Sequence, residues 1–356
     1  MIYWEDYKYK YQALLIIFTF FFFSYYFVTY FPANRIYVEG MMILTAAFIL
    51  DKKGLLLLLL LITTSLLNSS IFNDLIWNMA TISVVIYSSE KRLINTGELN
   101  NLVKGIVILL FVFVLVNEII DFKIEIFKNG GPFPSSLHLS YLLISLSLII
   151  FVSKIPAAHI FLFMLFSMSI FNGSRASFLF SASLLILSLI KLPNKLKIFY
   201  TLMSILIIWN FSIRAIGYES GNDGMRLYGF LNYLSRVDVA NFLIGEGRAN
   251  YGSIGMRANG VEMGMYATTK DVLITESSLI MLLYSHGIIF ALVLLKPIFF
   301  NLYSLVKSSK RNFIPVLLMF ILFLLVPFFD SPGIGVINAF LLNQMFLNIN
   351  QTENDA

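Results

Sequence analysis

Arginine is the side chain best suited to a pyrophosphate. Its planar fork donates two parallel hydrogen bonds and it keeps its charge. Three arginines stand where such a group could be held: Arg175, Arg226 and Arg248. Two further residues, Glu276 and His138, could take or give a proton beside it. Together these residue types suit group transfer on an anionic, lipid-borne substrate.

Each stands in a recognisable setting. Arg175 lies in Asn172-Gly173-Ser174-Arg175-Ala176-Ser177, between two apolar runs. Gly173 permits a tight turn and Ser174 suits the N-cap of the following helix. Free N–H groups and the positive helix end would then meet Arg175 as an anion site. The alternative is an arginine that snorkels to lipid phosphates. Arg226 opens a segment with Leu227, Phe230, Leu231 and Leu234 at helical spacing, which predicts a short amphipathic helix. Arg248 ends Ile244-Gly245-Glu246-Gly247-Arg248, a flexible turn that can bring backbone close to a neighbour. The alternative here is ordinary loop arginines paired with Asp223 and Glu246.

Glu276 opens the apolar run that ends at Lys296, on one face with Ile280, Leu283 and Gly287. A carboxylate is favoured at a helix N-terminus, so Glu276 is either a general base or a plain cap. His286 would lie about 15 Å further down the helix and cannot form a dyad with it. Gly287 is expected to permit close helix packing. His138 follows Gly130-Gly131-Pro132-Phe133-Pro134-Ser135-Ser136 at the start of another run, and His159 reads as structural. Three separated histidines make no metal site. No Walker loop or dinucleotide fingerprint stands in a strand–helix unit, so no cofactor and no ATP-driven step is expected.

These residues must be positioned by something, and composition says what. The chain is 58% hydrophobic and only 13% charged, against about 25% charged in soluble domains. This is the composition of an all-α, polytopic membrane protein. Candidate spans lie near 11–31, 36–50, 54–70, 71–88, 102–120, 138–154, 155–173, 175–191, 196–213, 275–297, 312–329 and 333–348, which makes about twelve transmembrane helices. The Leu55–Leu61 run reads as lipid-facing. The organisation is then 1–213 membrane helices, 214–274 a large polar loop, 275–349 membrane helices and 350–356 a short polar tail without fixed structure. The loop holds ten of the chain's 20 glycines. The run from Tyr11 to Phe31 is too long for a cleaved signal peptide.

Charge sets the orientation. With the N-terminus inside, the short inner segments hold Lys8, Lys10, Lys52, Lys53, Lys91, Arg92, Lys104, Lys154, Lys191, Lys195, Lys197, Lys296, Lys307, Lys310 and Arg311. The short outer loops hold only Arg35, Lys123, Lys128 and Arg175. Positive residues stay inside, so both termini are cytoplasmic and the large loop is outside. The net charge of +5 follows this topology and is no sign of nucleic acid. Glu39, Asp74, Glu118, Asp121, Glu276 and Asp330 all fall at outer helix ends. They are either tolerated there or line a polar vestibule. No span carries a midplane row of charges, which argues against an ion-coupled pump.

In four features, taken in order, the chain resembles the O-antigen polymerase (Wzy-type) family, within the group of polytopic glycosyltransferases that also includes the O-antigen ligases. They are the Gly130–Ser136 outer loop, the Gly173–Ala176 turn, the long loop with Arg226, Gly245 and Gly247, and the Glu276–Ile288 span. The spacing from Arg236 to Gly247 also fits an arginine–glycine pattern of some polymerases. Where ligases carry a histidine–asparagine pair, this chain has Glu276-Ser277. The resemblance implies a bacterial inner-membrane enzyme with a periplasmic loop. It implies transfer of a growing glycan from undecaprenyl pyrophosphate to an incoming lipid-linked oligosaccharide repeat unit. Arg175, Arg226, Arg236 and Arg248 would hold the pyrophosphate, with Arg226 also in the catalytic set. Glu276 or His138 would act on the acceptor hydroxyl, without a metal. Membrane lipids and a chain-length regulator are the further partners it implies. An O-antigen ligase and a non-enzymatic flippase are the competing readings.

Overall fold

The computed structural model describes residues 44–46, 48–68, 79–119, 136–171, 175–190, 193–196, 198, 237–245, 278–308, 313, 315–317, 319 and 334–354. These residues form helices and connections, with no strand among them. The principal helices are α1 (Lys52–Asn68), α2 (Met79–Tyr87), α3 (Thr96–Ile119), α4 (Ser136–Val152), α5 (Ala158–Phe171), α6 (Arg175–Leu189), α7 (Val239–Ile244), α8 (Ser278–Ser308) and α9 (Ile334–Asn354). The all-α expectation holds.

Helices α4 and α9 lie at the centre. α4 packs on α3, α5, α6 and α9, while α9 also packs on α2, α3 and α8. Every residue from Leu139 to Val152 is buried, as expected of a helix that is apolar on all sides. Serines let its neighbours approach closely. Ser147 and Ser181 share a hydrogen bond of 3.1 Å, Ser169 and Ser181 one of 3.4 Å, and Ser177 donates to Ser140 at 3.3 Å. Small hydroxyl residues at such seams allow backbones to come together and satisfy their own polar atoms. Other serines turn back on their helix, as Ser145 does to the Tyr141 carbonyl at 3.1 Å.

α9 is the less apolar of the two, yet Asn338, Asn343, Gln344 and Asn348 are all buried in it. Three of them clasp the connection between α2 and α3. The Gln344 Oε1 accepts from the Leu93 N–H at 2.8 Å and the Ile94 N–H at 3.2 Å. Its Nε2 donates to the Lys91 carbonyl at 3.0 Å. Asn343 Nδ2 donates to the Ser89 carbonyl at 2.9 Å, and Asn348 Nδ2 to the Ile94 carbonyl at 3.3 Å. A non-helical connection can be buried only if its backbone groups find such partners. Lys91 Nζ donates to the Phe48 carbonyl at 2.7 Å and lies over the Phe48 ring.

Local signals explain where helices begin. Asn95 and Glu98 form a reciprocal cap. Glu98 N–H donates to Asn95 Oδ1 at 2.9 Å, and Asn95 N–H donates to Glu98 Oε2 at 2.8 Å. The apolar run alone predicts a start near residue 102, but this capping box starts α3 at Thr96. Asn95→Ala is expected to cost about 1 kcal/mol, read as a lower unfolding midpoint in detergent. At α1, Asp51 Oδ1 accepts the Gly54 N–H at 2.7 Å and starts the helix just before the leucine run.

Two expectations need correction at the C-terminal side. The polar tail from Asn350 is not without structure, because α9 continues to Asn354 and Asn350 Oδ1 accepts from Ser304 Oγ at 2.7 Å. The span expected to end at residue 297 runs on to Ser308. Leu295, Ile298, Leu302 and Leu305 keep a buried stripe going past Lys296 and Pro297.

The outside of the bundle is apolar. Leu56 on α1, Leu109 on α3, Ile186 on α6 and Phe300 on α8 are 71%, 62%, 62% and 65% exposed. Among the described residues, His286–Lys307 is the stretch both long and apolar enough to cross a membrane, beside the shorter apolar helices Leu139–Val152, Ala158–Phe171 and Ser177–Leu189.

Candidate functional site

The site residues named from sequence divide sharply. Arg175 is the first residue of α6, so the helix starts where the Gly173-Ser174 turn predicts. His138 lies in the first turn of α4. The neighbouring packing of α4 and α6 brings these two helix starts to one end of the bundle, and the Ser177–Ser140 hydrogen bond joins the helices there. The side chains of Arg175 and His138 lie outside the described residues. So do Arg226, Arg236, Arg248 and Glu276 in full, with the amphipathic segment after Arg226 and the Gly173-Ser174 turn itself.

What the structure does place is the short helix between Arg236 and Arg248. α7 packs on α8. Its start is tied by the Phe242 N–H, which donates to the Asp238 carbonyl at 2.9 Å. Phe242 and Val237 turn inward against the bundle, while Val239, Leu243 and Ile244 are exposed. The chain leaves α7 through Gly245, at φ 80°.

α8 is not one straight helix. Gly287 has φ 69° and ψ 176°, a conformation essentially reserved for glycine, and it breaks the helix next to the buried His286. The break receives the end of α7. A Cβ at Gly287 would overlap the Leu243 carbonyl group and come within 2.5 Å of the Gly245 nitrogen. Gly287 was expected to serve close packing between helices. It does so between α8 and the end of α7, as a backbone-to-backbone contact at a helix break. The expectation that Ile244-Gly245-Glu246-Gly247-Arg248 brings backbone close to a neighbour is met at Gly245, and the neighbour is Gly287.

Sequence reasoning missed that pairing. Both glycines stand out, and Ser285-His286-Gly287 interrupts the apolar run from Ser278 to Leu295, but nothing local ties Gly287 to the end of α7. Two glycines, one in the large polar loop and one inside an apolar run, were the signal that could have found it.

A small apolar cavity lies between Tyr87, Leu148, Ile298, Leu302 and Phe346, without the convergent polar groups of a binding site. Among the described residues whose side chains are placed no Asp, Glu, Lys or Arg is buried, and among the described residues no cluster of His, Asp and Glu could hold a metal ion. No protein-family model, curated protein or solved structure matches the chain.

Proposed function

We propose that the chain is a membrane-embedded glycosyltransferase that polymerises lipid-linked oligosaccharides at the outer face of the bacterial inner membrane. About twelve helices would span the bilayer, with both termini cytoplasmic and residues 214–274 on the periplasmic side. The apolar exterior supports this reading, because many serines and amides lie inside the bundle while large apolar side chains such as Leu56, Leu109, Ile186 and Phe300 are exposed on it. That is the partition a lipid solvent favours.

The observation that carries the enzymatic reading is the outer loop's attachment. Residues 237–245 are seated on α8, with a close backbone approach to Gly287, which supports a loop anchored to the bundle beside Arg236 and Arg248 in the sequence. Arginines held in place can stabilise a leaving pyrophosphate, whereas arginines on a free loop cannot be preorganised. In the reaction, the acceptor hydroxyl oxygen of the incoming unit attacks the anomeric carbon of the growing glycan. The bond from that carbon to the pyrophosphate oxygen breaks, and undecaprenyl pyrophosphate leaves with the electron pair. The hydroxyl proton passes to Glu276 or His138. Arg175, Arg226, Arg236 and Arg248 hold the pyrophosphate. Holding both lipid-linked sugars in register supplies much of the rate.

A carrier that only moves the unit across is less well supported. The buried residues given for the core include no Asp, Glu, Lys or Arg, and in the sequence the charged residues concentrate in 214–274. Reconstitution separates the two. The purified chain in vesicles, given lipid-linked repeat units and no nucleotide, should yield a ladder of longer glycans and release undecaprenyl pyrophosphate. Units that cross the bilayer without growing would refute the enzyme.

A further inference from the structure

We propose that the seam between α2 and α9 is a hinged cleft, pinned at the Gln344 clasp and poised to part at Ser83 and Asn338. Both of these side chains are fully buried. Neither the Ser83 hydroxyl nor either end of the Asn338 amide has a hydrogen-bond partner among the described residues. Comparable side chains nearby are satisfied. Ser147 turns back to the Leu143 carbonyl of its own helix at 2.7 Å, and Asn343 and Gln344 bind the connection after α2. A buried polar group without a partner raises the free energy of the closed seam, and water restores its bonds once the seam parts. An open form is therefore closer in energy here than at a seam of apolar side chains.

Register puts the two at one level of the seam. α2 and α9 pack on each other, and Tyr87 meets Phe346 edge to face with ring centres 5.6 Å apart. The chain leaving α2 runs alongside α9 in the same sense, since Asn343 holds the Ser89 carbonyl and Asn348 the Ile94 carbonyl. Counting back from the Ser89–Asn343 pair, Ser83 comes six positions earlier and Asn338 five. By helical rise these are about 9 Å and about 7.5 Å. The faces agree as well. Ser83 lies one turn before Tyr87, and Asn338 shares the i, i+4, i+8 row of α9 with Leu342 and Phe346.

The other end of the seam is fixed. Gln344 holds Lys91, Leu93 and Ile94 by their backbone groups. The chain just before α1 is tied to the same place, because Ser89 Oγ donates to the Ile49 carbonyl at 3.5 Å and Lys91 Nζ to the Phe48 carbonyl at 2.7 Å. α9 is held on several sides, by α3, α4 and α8 as well as by α2, whereas α2 packs on α1, α8 and α9. α2 is therefore the element that can swing, with the clasp as its pivot. A swing about that pivot separates Ser83 from Asn338 and leaves the clasp intact.

The test uses the full chain in membranes, which has no cysteine of its own. Ser83→Cys is exposed to a small water-soluble thiol reagent and the extent of modification is followed over time. Ser145→Cys is the control, because Ser145 is equally buried but bonded to the Tyr141 carbonyl of its own helix. Ser83→Cys should react while Ser145→Cys stays unmodified. Adding Asn338→Leu should slow the reaction at Ser83→Cys about tenfold, since an apolar side chain carries no unpaired group into the closed seam. For the same reason Asn338→Leu alone should raise the unfolding midpoint in detergent. A Ser83→Cys protein as inert as the control would overturn the cleft. Equal reaction at both positions would overturn it too, because the opening would then not belong to this seam. An Asn338→Leu chain with an unchanged reaction rate, or with a lower midpoint, would show that the amide is satisfied in the closed form and would remove the reason to open.

Discussion

Replacing Arg226 with alanine is expected to abolish chain growth while the amount of protein in the membrane stays normal. The developing charge on the pyrophosphate is largest as the glycosidic bond breaks, and a preorganised donor acts at that moment. Losing one such donor typically lowers turnover about 100–1,000-fold. Arg226→Lys separates charge from geometry, since lysine keeps the charge but loses the fork. It should retain a measurable fraction of the activity that alanine removes. The readout is the length distribution of surface glycan together with an immunoblot. Long chains from Arg226→Ala would remove this residue from the site.

The second large effect concerns the fold. Gln344→Leu should destabilise the protein by roughly 2–6 kcal/mol, because it strands the buried N–H groups of Leu93 and Ile94 and the carbonyl of Lys91. A buried polar group left without a partner costs about 1–3 kcal/mol, and partial relaxation sets the lower figure. Total stabilities are only about 5–15 kcal/mol, so the variant should unfold at a visibly lower temperature in detergent. Asn343 and Asn348 hold the adjoining carbonyls of Ser89 and Ile94, so Gln344→Leu combined with Asn343→Leu should not be additive. An unfolding midpoint indistinguishable from that of the native chain would show that water replaces the clasp.

The two predictions also show what could be read from sequence. The helices α4, α5 and α6 begin and end within about three residues of their apolar runs, because hydropathy and turn residues agree there. At α3 they disagree: Thr96–Asn101 is polar, yet Asn95 and Glu98 start the helix. The Asn-x-x-Glu signal was in the sequence, and a hydropathy reading passes over it. The clasp by Gln344 was out of reach, since its partners lie some 250 positions earlier in the chain and only folding brings them together. Gly287 was legible as a small residue, and Ser285-His286 beside it as a polar interruption, but the partner that fills the break lies more than 40 positions earlier in the chain. At the site, Arg175 stands at a helix start as its turn predicts, whereas Arg226, Arg236, Arg248 and Glu276 lie outside the described residues. Apolar periodicity says little about a glycine-rich polar loop, because such a loop has no face to bury.

The central claim is polymerisation, and a gel of lipopolysaccharide from a deletion strain tests it most directly, with and without the gene restored. If the account is right, the deletion leaves lipid A core carrying a single repeat unit, and restoring the gene brings back the ladder of long chains. Bare core, with repeat units stranded on the lipid carrier, would contradict it, because the step lost would then be ligation or export.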